Sequence, residues 1–572
     1  MTSAQGPADV WRLRLYALLI LLSGTVAYHN SLGGPFIFDD QFRIVENARL
    51  RHLWPPEALI AGSLRPVVDL SLAVNYALGG LDVRGYHLVN LAIHLGAALL
   101  LFGVVRRTLI LPRLAARFGG ASPWLAACVA ILWVVHPLQT QSVTYTIQRA
   151  ESLAGLWYLL TLYAVIRAAT ARRPTNWSST AVLACALGMA TKPVMVTAPL
   201  LVLWYDRTFL SGSVGRALRR SRGLYAGLAA TWLVLGAVLM SPELARLSAG
   251  FRLRTLTLLE YAGSQPGVIL HYLRLACWPH PLVFDYDWPL AHGAAIARPA
   301  LLLGAMVLAV GWALRRAPAF GFLGFACLLL LAPSSSVMPI RDLAMEHRMY
   351  LPLAPLMVLA VLGAHAALRR LPSSTALRRA IGAGLMVAIA VTFTGLTIRR
   401  NADYASEEAM WRDTIQQRPA NPRAHTNLGA VLAAQGRMDE AIAHDTEALR
   451  LDDAYAEAHS NLAAALVGRG RLAEAEAHYQ RALHLWPGDA KAHVGLGAVL
   501  SAQGRRSDAM RQYQEALRLD PQSAEAHNNL GVALVEAGRM DEAIAHYLDA
   551  LRLRPDYAKA RNNLEEARAL TR

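Results

Sequence analysis

Residues 524–557 read AEAHNNLGVALVEAGRMDEAIAHYLDALRLRPDY, and this pattern recurs with a period of 34 residues over residues 421–572. Three registers of the repeat hold leucine or alanine: Leu428, Leu462, Leu496, Leu530 and Leu564; Ala441, Ala475, Ala509 and Ala543; Ala448, Ala482, Ala516 and Ala550. Proline ends three units, at Pro487, Pro521 and Pro555, and Asp453 has the matching position in another. Small residues let two helices approach closely, leucine fills the groove between them, and proline stops the second helix. The period therefore predicts a helix–turn–helix unit repeated into an α-solenoid.

These units resemble the tetratricopeptide-repeat family, with four full repeats and a C-terminal cap helix over residues 421–572. The position after the repeated leucine is held by small residues: Gly429, Ala463, Gly497 and Gly531. A further register holds Tyr479, Tyr513 and Tyr547, and Trp411 occupies it ahead of the first full unit. Residues 401–420 are therefore predicted to form a partial repeat that connects the array to the preceding part of the chain.

Residues 1–400 are a series of apolar runs separated by polar segments. Over the whole chain 55% of residues are hydrophobic and 17% are charged, a balance typical of membrane proteins. We predict eleven membrane-spanning helices, at residues 12–28, 86–105, 123–136, 150–168, 178–190, 193–205, 224–240, 298–314, 319–332, 350–368 and 381–398. Some of these runs are shorter than the roughly 20 residues that a spanning helix needs, so their ends must extend into the flanks. The predicted fold class is all-α: a polytopic helical membrane domain of the first 400 residues, followed by the α-solenoid.

Two apolar segments differ from the other runs. Arg12 and Arg14 precede the first one, and no signal-peptidase-like site follows it, which indicates an uncleaved first span. Residues 255–278 carry Glu260 and Arg274 and have Pro266 in the middle. We interpret that segment as re-entrant or as lying at the membrane surface.

The positive charges set the expected topology. The net charge is +16, and arginines cluster beside the apolar runs, at 106–107, 172–173, 216–222, 315–316, 369–379 and 399–400. Such clusters stay on the cytoplasmic side of a membrane, so they indicate topology and not nucleic-acid binding. If residues 255–278 do not cross, all clusters except the last lie inside and the repeats lie outside. Without a eukaryotic targeting signal, we expect a bacterial inner membrane, with the repeats in the periplasm.

An acidic pair, Asp39 and Asp40, follows the first predicted span in a long external loop. Two carboxylates this close do not both ionise freely, so one could act as a base, and a divalent metal would relieve the same repulsion. The alternatives are a helix cap or solvated charge at the headgroup level. Arg65 and His87 lie in the same part of the chain, and His94 continues into the second predicted span, where polar side chains are often functional.

Further cations are predicted on the same outer face. Arg149, which follows the His136 loop, could bind a phosphate with two hydrogen bonds or pair with Glu151. Lys192 is a phosphate ligand or an interface anchor. A later outer loop carries Glu346 and Arg348. This one-sided distribution predicts an outward-facing reaction centre that uses a lipid-phosphate donor, in which a carboxylate deprotonates the attacking hydroxyl and cations stabilise the departing phosphate.

A family resemblance rests on the order of several short motifs. They are Phe38-Asp39-Asp40, Arg65-Pro66, Tyr86-His87-Leu88-Val89-Asn90, the segment from His136-Pro137 to Gln148-Arg149-Ala150-Glu151, Lys192-Pro193 and Arg348-Met349-Tyr350-Leu351-Pro352. Followed by the repeats, they resemble the transmembrane and tetratricopeptide-repeat-containing proteins. That family is similar to the protein O-mannosyltransferases, within the C-type fold of membrane glycosyltransferases.

The resemblance implies Asp39 or Asp40 as catalytic base, and a polyprenyl-phosphate sugar donor, mannose in the best-understood relatives. It also implies a hydroxyl acceptor, serine or threonine in those relatives, and repeats on the non-cytoplasmic side. We expect the repeats to hold the acceptor polypeptide in their concave groove. In the resulting hypothesis, Arg149, Lys192 or Arg348 stabilises the lipid phosphate as it departs. One position departs from the expected pattern, because Gln141 stands where a glutamate is expected.

Two alternatives to this function remain open from the sequence. A lipid-linked oligosaccharide ligase or polymerase would use groups of the late outer loop, here Arg341, His347 and Arg348. A non-enzymatic scaffold would use the repeats to recruit proteins, although about eleven spans exceed what anchoring needs.

Overall fold

The computed structural model describes residues 7–61, 63–240, 257–335, 340 and 342–571, and in these residues the secondary structure is helical, without β-strands. The chain divides into two compact units, Met1–Met410 and Trp411–Arg572. The division falls inside the 401–420 segment that the repeat register singled out. The all-α prediction is confirmed.

The first unit contains seventeen described α-helices. They are α1 (Pro7–Tyr28), α2 (Glu57–Ile60), α3 (Pro66–Gly79), α4 (Val83–Leu109), α5 (Pro112–Phe118), α6 (Ser122–Val134), α7 (Thr140–Thr144), α8 (Arg149–Ala168), α9 (Pro174–Met189), α10 (Ala198–Tyr205), α11 (Val214–Arg220), α12 (Arg222–Leu239), α13 (Leu258–Cys277), α14 (Ala294–Arg316), α15 (Pro318–Leu331), α16 (Leu353–Leu368) and α17 (Thr375–Ala402). Short 3-10 and π segments join several of them, and each predicted apolar run contains a helix.

Six helical segments are long and apolar enough to cross a membrane: Val10–Ser31, Val83–Leu109, Pro112–Val134, Arg222–Leu239, Ala294–Arg316 and Thr375–Ala402. Two shorter apolar helices, Pro318–Leu331 and Leu353–Leu368, accompany them. The protein is thus a multi-pass membrane protein, and the count of eleven spans stays a prediction. Helix α8 is long enough by residue count, but Arg149, Glu151 and Arg167 lower its hydropathy.

The ambiguous segment 255–278 is a continuous helix from Leu258 to Cys277 in its described part, and residues 255–256 lie outside the described residues. Thr257 caps it, and Glu260 completes a reciprocal capping box. Pro266 lies inside the helix without ending it. A re-entrant or surface position for this segment stays a prediction.

The core of the first unit is built around α4, which packs against both α6 and α8. A Cβ atom on Gly155 would clash with the ring of Tyr350, so the glycine allows α8 to approach the segment that begins α16. Close helix packing through small residues is typical of membrane helices. This contact fixes the late loop, which carries Glu346 and Arg348, against the start of α8.

The second unit is a solenoid of helix pairs. After α18 (Glu407–Gln417), which links the units, it comprises α19 (Pro422–Ala434), α20 (Met438–Leu451), α21 (Ala456–Gly468), α22 (Leu472–Leu485), α23 (Ala490–Ala502), α24 (Arg506–Leu519), α25 (Ala524–Glu536), α26 (Met540–Leu553) and α27 (Ala558–Leu570). The first helix of each pair is followed by a glycine with φ between +72° and +79°, at Gly436, Gly470, Gly504 and Gly538. Glycine adopts this left-handed conformation without a Cβ penalty and so ends each helix sharply. The predicted α-solenoid is confirmed.

Candidate active site

The acidic pair lies in the turn that follows α1, and its two carboxylates face different environments. Asp40 is fully buried, whereas the side chain of Asp39 is exposed. The Asp40 carboxylate accepts hydrogen bonds from the backbone N–H of Ile37 (3.2 Å) and of Ile147 (2.8 Å). Asp40 therefore ties the turn to the segment before α8, and Asp39 alone of the pair can meet a substrate.

The backbone of this turn is strained, which fixes the direction of the pair. Phe38 has φ +46°, a conformation that a bulky residue rarely adopts. Its N–H donates to the carboxylate of Glu407, and the next N–H, of Asp39, donates to the hydroxyl of Tyr145 at 3.0 Å. Strain of this kind persists only where surrounding contacts enforce it.

The protein raises the pKa of both carboxyls. Burial raises the pKa of Asp40 to about 8, and the charge of Asp39 adds to that rise, although backbone hydrogen bonds oppose it. The pKa of the Asp39 carboxyl is also raised, first because surrounding protein removes part of its hydration although the residue reaches the surface; Arg43 and Arg65 oppose the rise. A carboxylate with a raised pKa is a stronger base than an ordinary aspartate.

A second polar cluster joins α8, the turn after α9 and the late loop. Lys192 and Glu151 form an ion pair, and the same Glu151 oxygen lies 3.7 Å from Nε2 of His347. Burial lowers the pKa of both Lys192 and His347. The sequence analysis left open whether Glu151 pairs with Arg149. In the structure the partner of Glu151 is Lys192.

Gln141, the position that departs from the expected glutamate, lies in this cluster. Its side-chain oxygen accepts hydrogen bonds from the backbone N–H of His347 (2.9 Å) and from Nδ1 of the same residue (3.1 Å). A glutamate would accept the same two hydrogen bonds. Glutamine therefore keeps the positioning of His347 and removes one negative charge from the cluster.

Arg65, the residue before α3, lies between the two clusters. It is half-buried and within electrostatic range of Asp39 and Glu151, and its charge lowers the pKa of Lys192 and His347. Its guanidinium makes no hydrogen bond to the described part of the chain. Arg65 is therefore the cation of this group whose donors are open to an anionic ligand.

Arg348 and Glu346 hold the late loop together. Arg348 donates to the backbone carbonyls of Ser334 (3.1 Å), Leu343 (2.9 Å) and Asp342. Glu346 is fully buried, accepts from the hydroxyl of Tyr286 at 3.0 Å and lies 3.6 Å from Nη2 of Arg400. Most of the Arg348 guanidinium is thus used inside the protein, although its charge still reaches Lys192.

Arg149 makes internal contacts that hold three helices together. Its guanidinium donates to Oδ1 of Asn90 (2.6 Å), to the carbonyl of Tyr86 (3.0 Å) and to the carbonyl of Ser71 (3.1 Å). The residue is fully buried. These acceptors engage Nε, Nη1 and Nη2 of Arg149, so its guanidinium is used inside the protein.

The three candidate histidines are likewise buried within the helical core. Both ring nitrogens of His94 and of His136, and Nε2 of His87, lie within 3.2 Å of internal groups. His87 contacts the Gly34 carbonyl, His94 the Tyr350 hydroxyl and the Val134 carbonyl, and His136 the Ala276 carbonyl and the Leu138 N–H. These contacts join helices and loops, and they bring none of the three rings to Asp39.

The structure adds Arg43 and Tyr145 to the site, neither of which the sequence analysis singled out. Arg43 stands four residues after Asp39, a spacing that could have revealed it. The candidate carboxylates do not converge with other ligands into a three-ligand group in the described part of the first unit. The prediction of a divalent metal therefore has no assigned site here.

Known protein families match the repeat array, and curated proteins are similar to most of the chain. A tetratricopeptide-repeat family matches residues 421–485 and 454–522, and another tetratricopeptide-repeat family matches residues 494–558. Among curated proteins, the protein O-mannosyl-transferase Tmtc1 of Drosophila melanogaster is 27% identical over an alignment that covers 73% of this chain and 59% of that protein. Tmtc3 of the same organism is 25% identical, covering 76% and 55%. Human TMTC4 is 26% identical, covering 74% and 65%.

The chain thus spans less than two thirds of the length of these relatives. The similarity nevertheless extends over about three quarters of this chain. The protein is therefore a multi-pass membrane protein with a tetratricopeptide-repeat array, and most of its chain is similar to the Tmtc protein O-mannosyl-transferases.

Proposed function

We propose that this protein transfers a sugar, mannose or a close analogue, from a polyprenyl-phosphate donor to a serine or threonine hydroxyl of a protein. The observation that carries the proposal is the exposed Asp39 carboxylate, held in a strained turn within electrostatic range of Arg65. Base and phosphate ligand are the two groups that this reaction requires. The names of the relatives support the same reaction class.

In the proposed reaction, Asp39 takes the proton of the acceptor hydroxyl as its oxygen attacks the anomeric carbon. The bond from that carbon to the phosphate oxygen breaks, and the polyprenyl phosphate leaves with the electron pair. Arg65 and Lys192 offset the charge that develops on the phosphate, since a guanidinium and an ammonium stabilise such oxygens. A single displacement of this kind inverts the anomeric configuration.

The proposed reaction takes place on the non-cytoplasmic side. The arginine clusters favour that side for the turn after α1, because basic flanks stay in the cytoplasm. The same count puts the repeats outside, where their concave surface would hold the acceptor polypeptide. Cysteine labelling in intact cells or vesicles tests this sidedness. Because Asp40 is buried, the cysteines are introduced at exposed positions instead. Glu46→Cys and Glu525→Cys should both react with an impermeant reagent from the outer side.

Replacing Arg65 with glutamine is expected to lower kcat/KM for the donor about 10- to 100-fold, because one charge-assisted hydrogen bond to the phosphate is lost. Lys192→Met should have a similar effect. The measurement is transfer of radiolabelled mannose from polyprenyl-phosphate mannose to a pool of serine- and threonine-rich polypeptides. Arg84→Gln, which changes an exposed arginine at the start of α4, is the matched control and should behave as wild type.

Donor choice separates this proposal from the ligase alternative. Transfer from the monosaccharide donor supports the proposal, and transfer from an oligosaccharide-linked donor alone would contradict it. The ligase alternative uses the late loop, of which Arg341 lies outside the described residues.

Asp40 is expected to be a positioning residue, whose replacement affects stability as well as turnover. Asp40→Asn leaves one oxygen to accept two backbone N–H groups, and an unsatisfied buried N–H costs about 1–3 kcal/mol. Thermal unfolding in detergent should therefore start at lower temperature than in wild type. Asp39→Asn, at an exposed side chain, should not move the transition, and the reverse ranking would contradict the assignment of the two roles.

A further inference from the structure

The fourth repeat brings together three side chains with metal-ligating atoms. His527 lies on α25, and His546 and Asp549 lie on α26. One ligand atom from each lies within 4.8 Å of the others, and Nδ1 of His527 is 2.9 Å from Nδ1 of His546. His546 and Asp549 are three residues apart, so they share one face of α26. All three side chains are half-buried.

The outer nitrogen of His527 is held in a way that directs the inner one. Nε2 of this ring lies 3.4 Å from the carbonyl of Pro521. A histidine that donates one ring N–H to a backbone carbonyl presents the lone pair of its other nitrogen, and metal-bound histidines are usually oriented like this. The repeat supplies this carbonyl in each unit: His425 contacts Pro419 at 3.2 Å, His459 contacts Asp453 at 3.1 Å and His493 contacts Pro487 at 3.2 Å.

We propose that the fourth repeat binds a divalent transition-metal ion such as Zn²⁺ through His527, His546 and Asp549. Imidazole and carboxylate suit Zn²⁺, whereas Ca²⁺ and Mg²⁺ prefer oxygen ligands alone. Two nitrogens bound to one tetrahedral zinc lie about 3.3 Å apart, so the two rings need to separate by only about 0.4 Å. The ion would link α25 to α26, and water would complete its coordination.

Arg552 competes with the metal for Asp549. It donates to one carboxylate oxygen at 2.8 Å, and the other oxygen accepts no hydrogen bond from the described residues. Arg552 is exposed, and surface ion pairs contribute at most about 1 kcal/mol. The pair therefore does not prevent coordination by Asp549.

The second and third repeats each lack one ligand at the equivalent positions, which makes them internal controls. The second repeat has the pair His459 and His478, with Nδ1 atoms 2.9 Å apart, but Arg481 in place of the carboxylate. The third repeat has Gln512 in place of the second histidine.

The first repeat has both histidines and Glu447. Arg450, however, engages both oxygens of that carboxylate, at 2.8 and 2.7 Å. The complete three-ligand arrangement is thus a property of the fourth repeat among the described repeats.

The test uses the full chain, purified without a polyhistidine tag. The protein is loaded with Zn²⁺ or Co²⁺ and dialysed to remove free metal, and the metal that it retains is measured. We expect wild type to retain Co²⁺ and to show its visible ligand-field absorption. His546→Gln should lose that signal, and it should fold, because Gln512 occupies the same register in the third repeat. His478→Gln is the matched control and should keep the signal.

A second measurement separates coordination from a structural effect of the substitution. Zn²⁺ should slow hydrogen exchange in α25 and α26 of wild type and of His478→Gln, and it should leave exchange in His546→Gln unchanged. Equal Co²⁺ spectra for the two variants, or no retained metal in wild type, would overturn the proposal. Transfer activity plays no part in either readout.

Discussion

Replacing Asp39 with asparagine is expected to lower the turnover of sugar transfer about a thousandfold, because a positioned general base contributes about 10²- to 10⁴-fold. The asparagine amide keeps the shape of the side chain but takes no proton. Donor KM should change little, since Asp39 acts on the acceptor hydroxyl. Turnover is measured under donor saturation in the mannose-transfer assay.

The pH dependence gives a second readout of the same role. The base works only when it is ionised, so kcat/KM of wild type should rise with pH through the pKa of Asp39, which the protein raises above its ordinary value. In Asp39→Asn that limb should disappear. Glu46→Gln, an exposed change in the same loop, is the control and should retain both turnover and pH profile. Wild-type turnover in Asp39→Asn would remove the base from the mechanism.

The second large effect is expected in the first repeat, where Asp445 occupies the register that holds tyrosine in the later repeats. Gly429 faces Asp445 as Gly497 faces Tyr513 and as Gly531 faces Tyr547. The Asp445 carboxyl is buried, and neither of its oxygens has a hydrogen-bond partner in the described residues. Burial raises its pKa to about 8.

Asp445→Tyr should stabilise the first repeat by roughly 2–4 kcal/mol, since it buries an aromatic ring and removes an unpaired polar group. The stabilised quantity is the free energy of local opening. It is measured by hydrogen exchange of α19 and α20 in the full chain, because a protein with two units does not unfold in one step. Faster exchange in the tyrosine variant would contradict the prediction.

The sign of the pH dependence follows from the raised pKa. Between the ordinary value of 3.8 and about 8, the folded repeat binds a proton that the unfolded repeat has released. The stabilisation from this proton is therefore fully present at low pH. The free energy of local opening falls by up to about 1.4 kcal/mol per pH unit as the pH rises through this window. Asp445→Asn should abolish the slope without filling the space, and Asp445→Tyr should abolish the slope and add the stabilisation.

The candidate site was only partly predictable from sequence. The pair Asp39 and Asp40 stood out, but adjacent residues in a turn can face opposite environments, and only the folded backbone, with the positive φ of Phe38, puts one outside and one inside. Arg149 looked like an open phosphate ligand. Its acceptors lie 59 and 78 residues away in the chain, at Asn90 and Ser71, so no local pattern could reveal that its donors are occupied.

Local periodicity and hydropathy are enough to predict the repeat array and the helical, apolar character of the first unit. The sequence also marked the segments that carry the polar groups. Which of these groups contact one another depends on the folded chain: Lys192 pairs with Glu151, 41 residues away, and Gln141 accepts from His347, 206 residues away. Such pairs depend on how helices pack, and packing follows from the complementary shapes of surfaces that are distant in sequence.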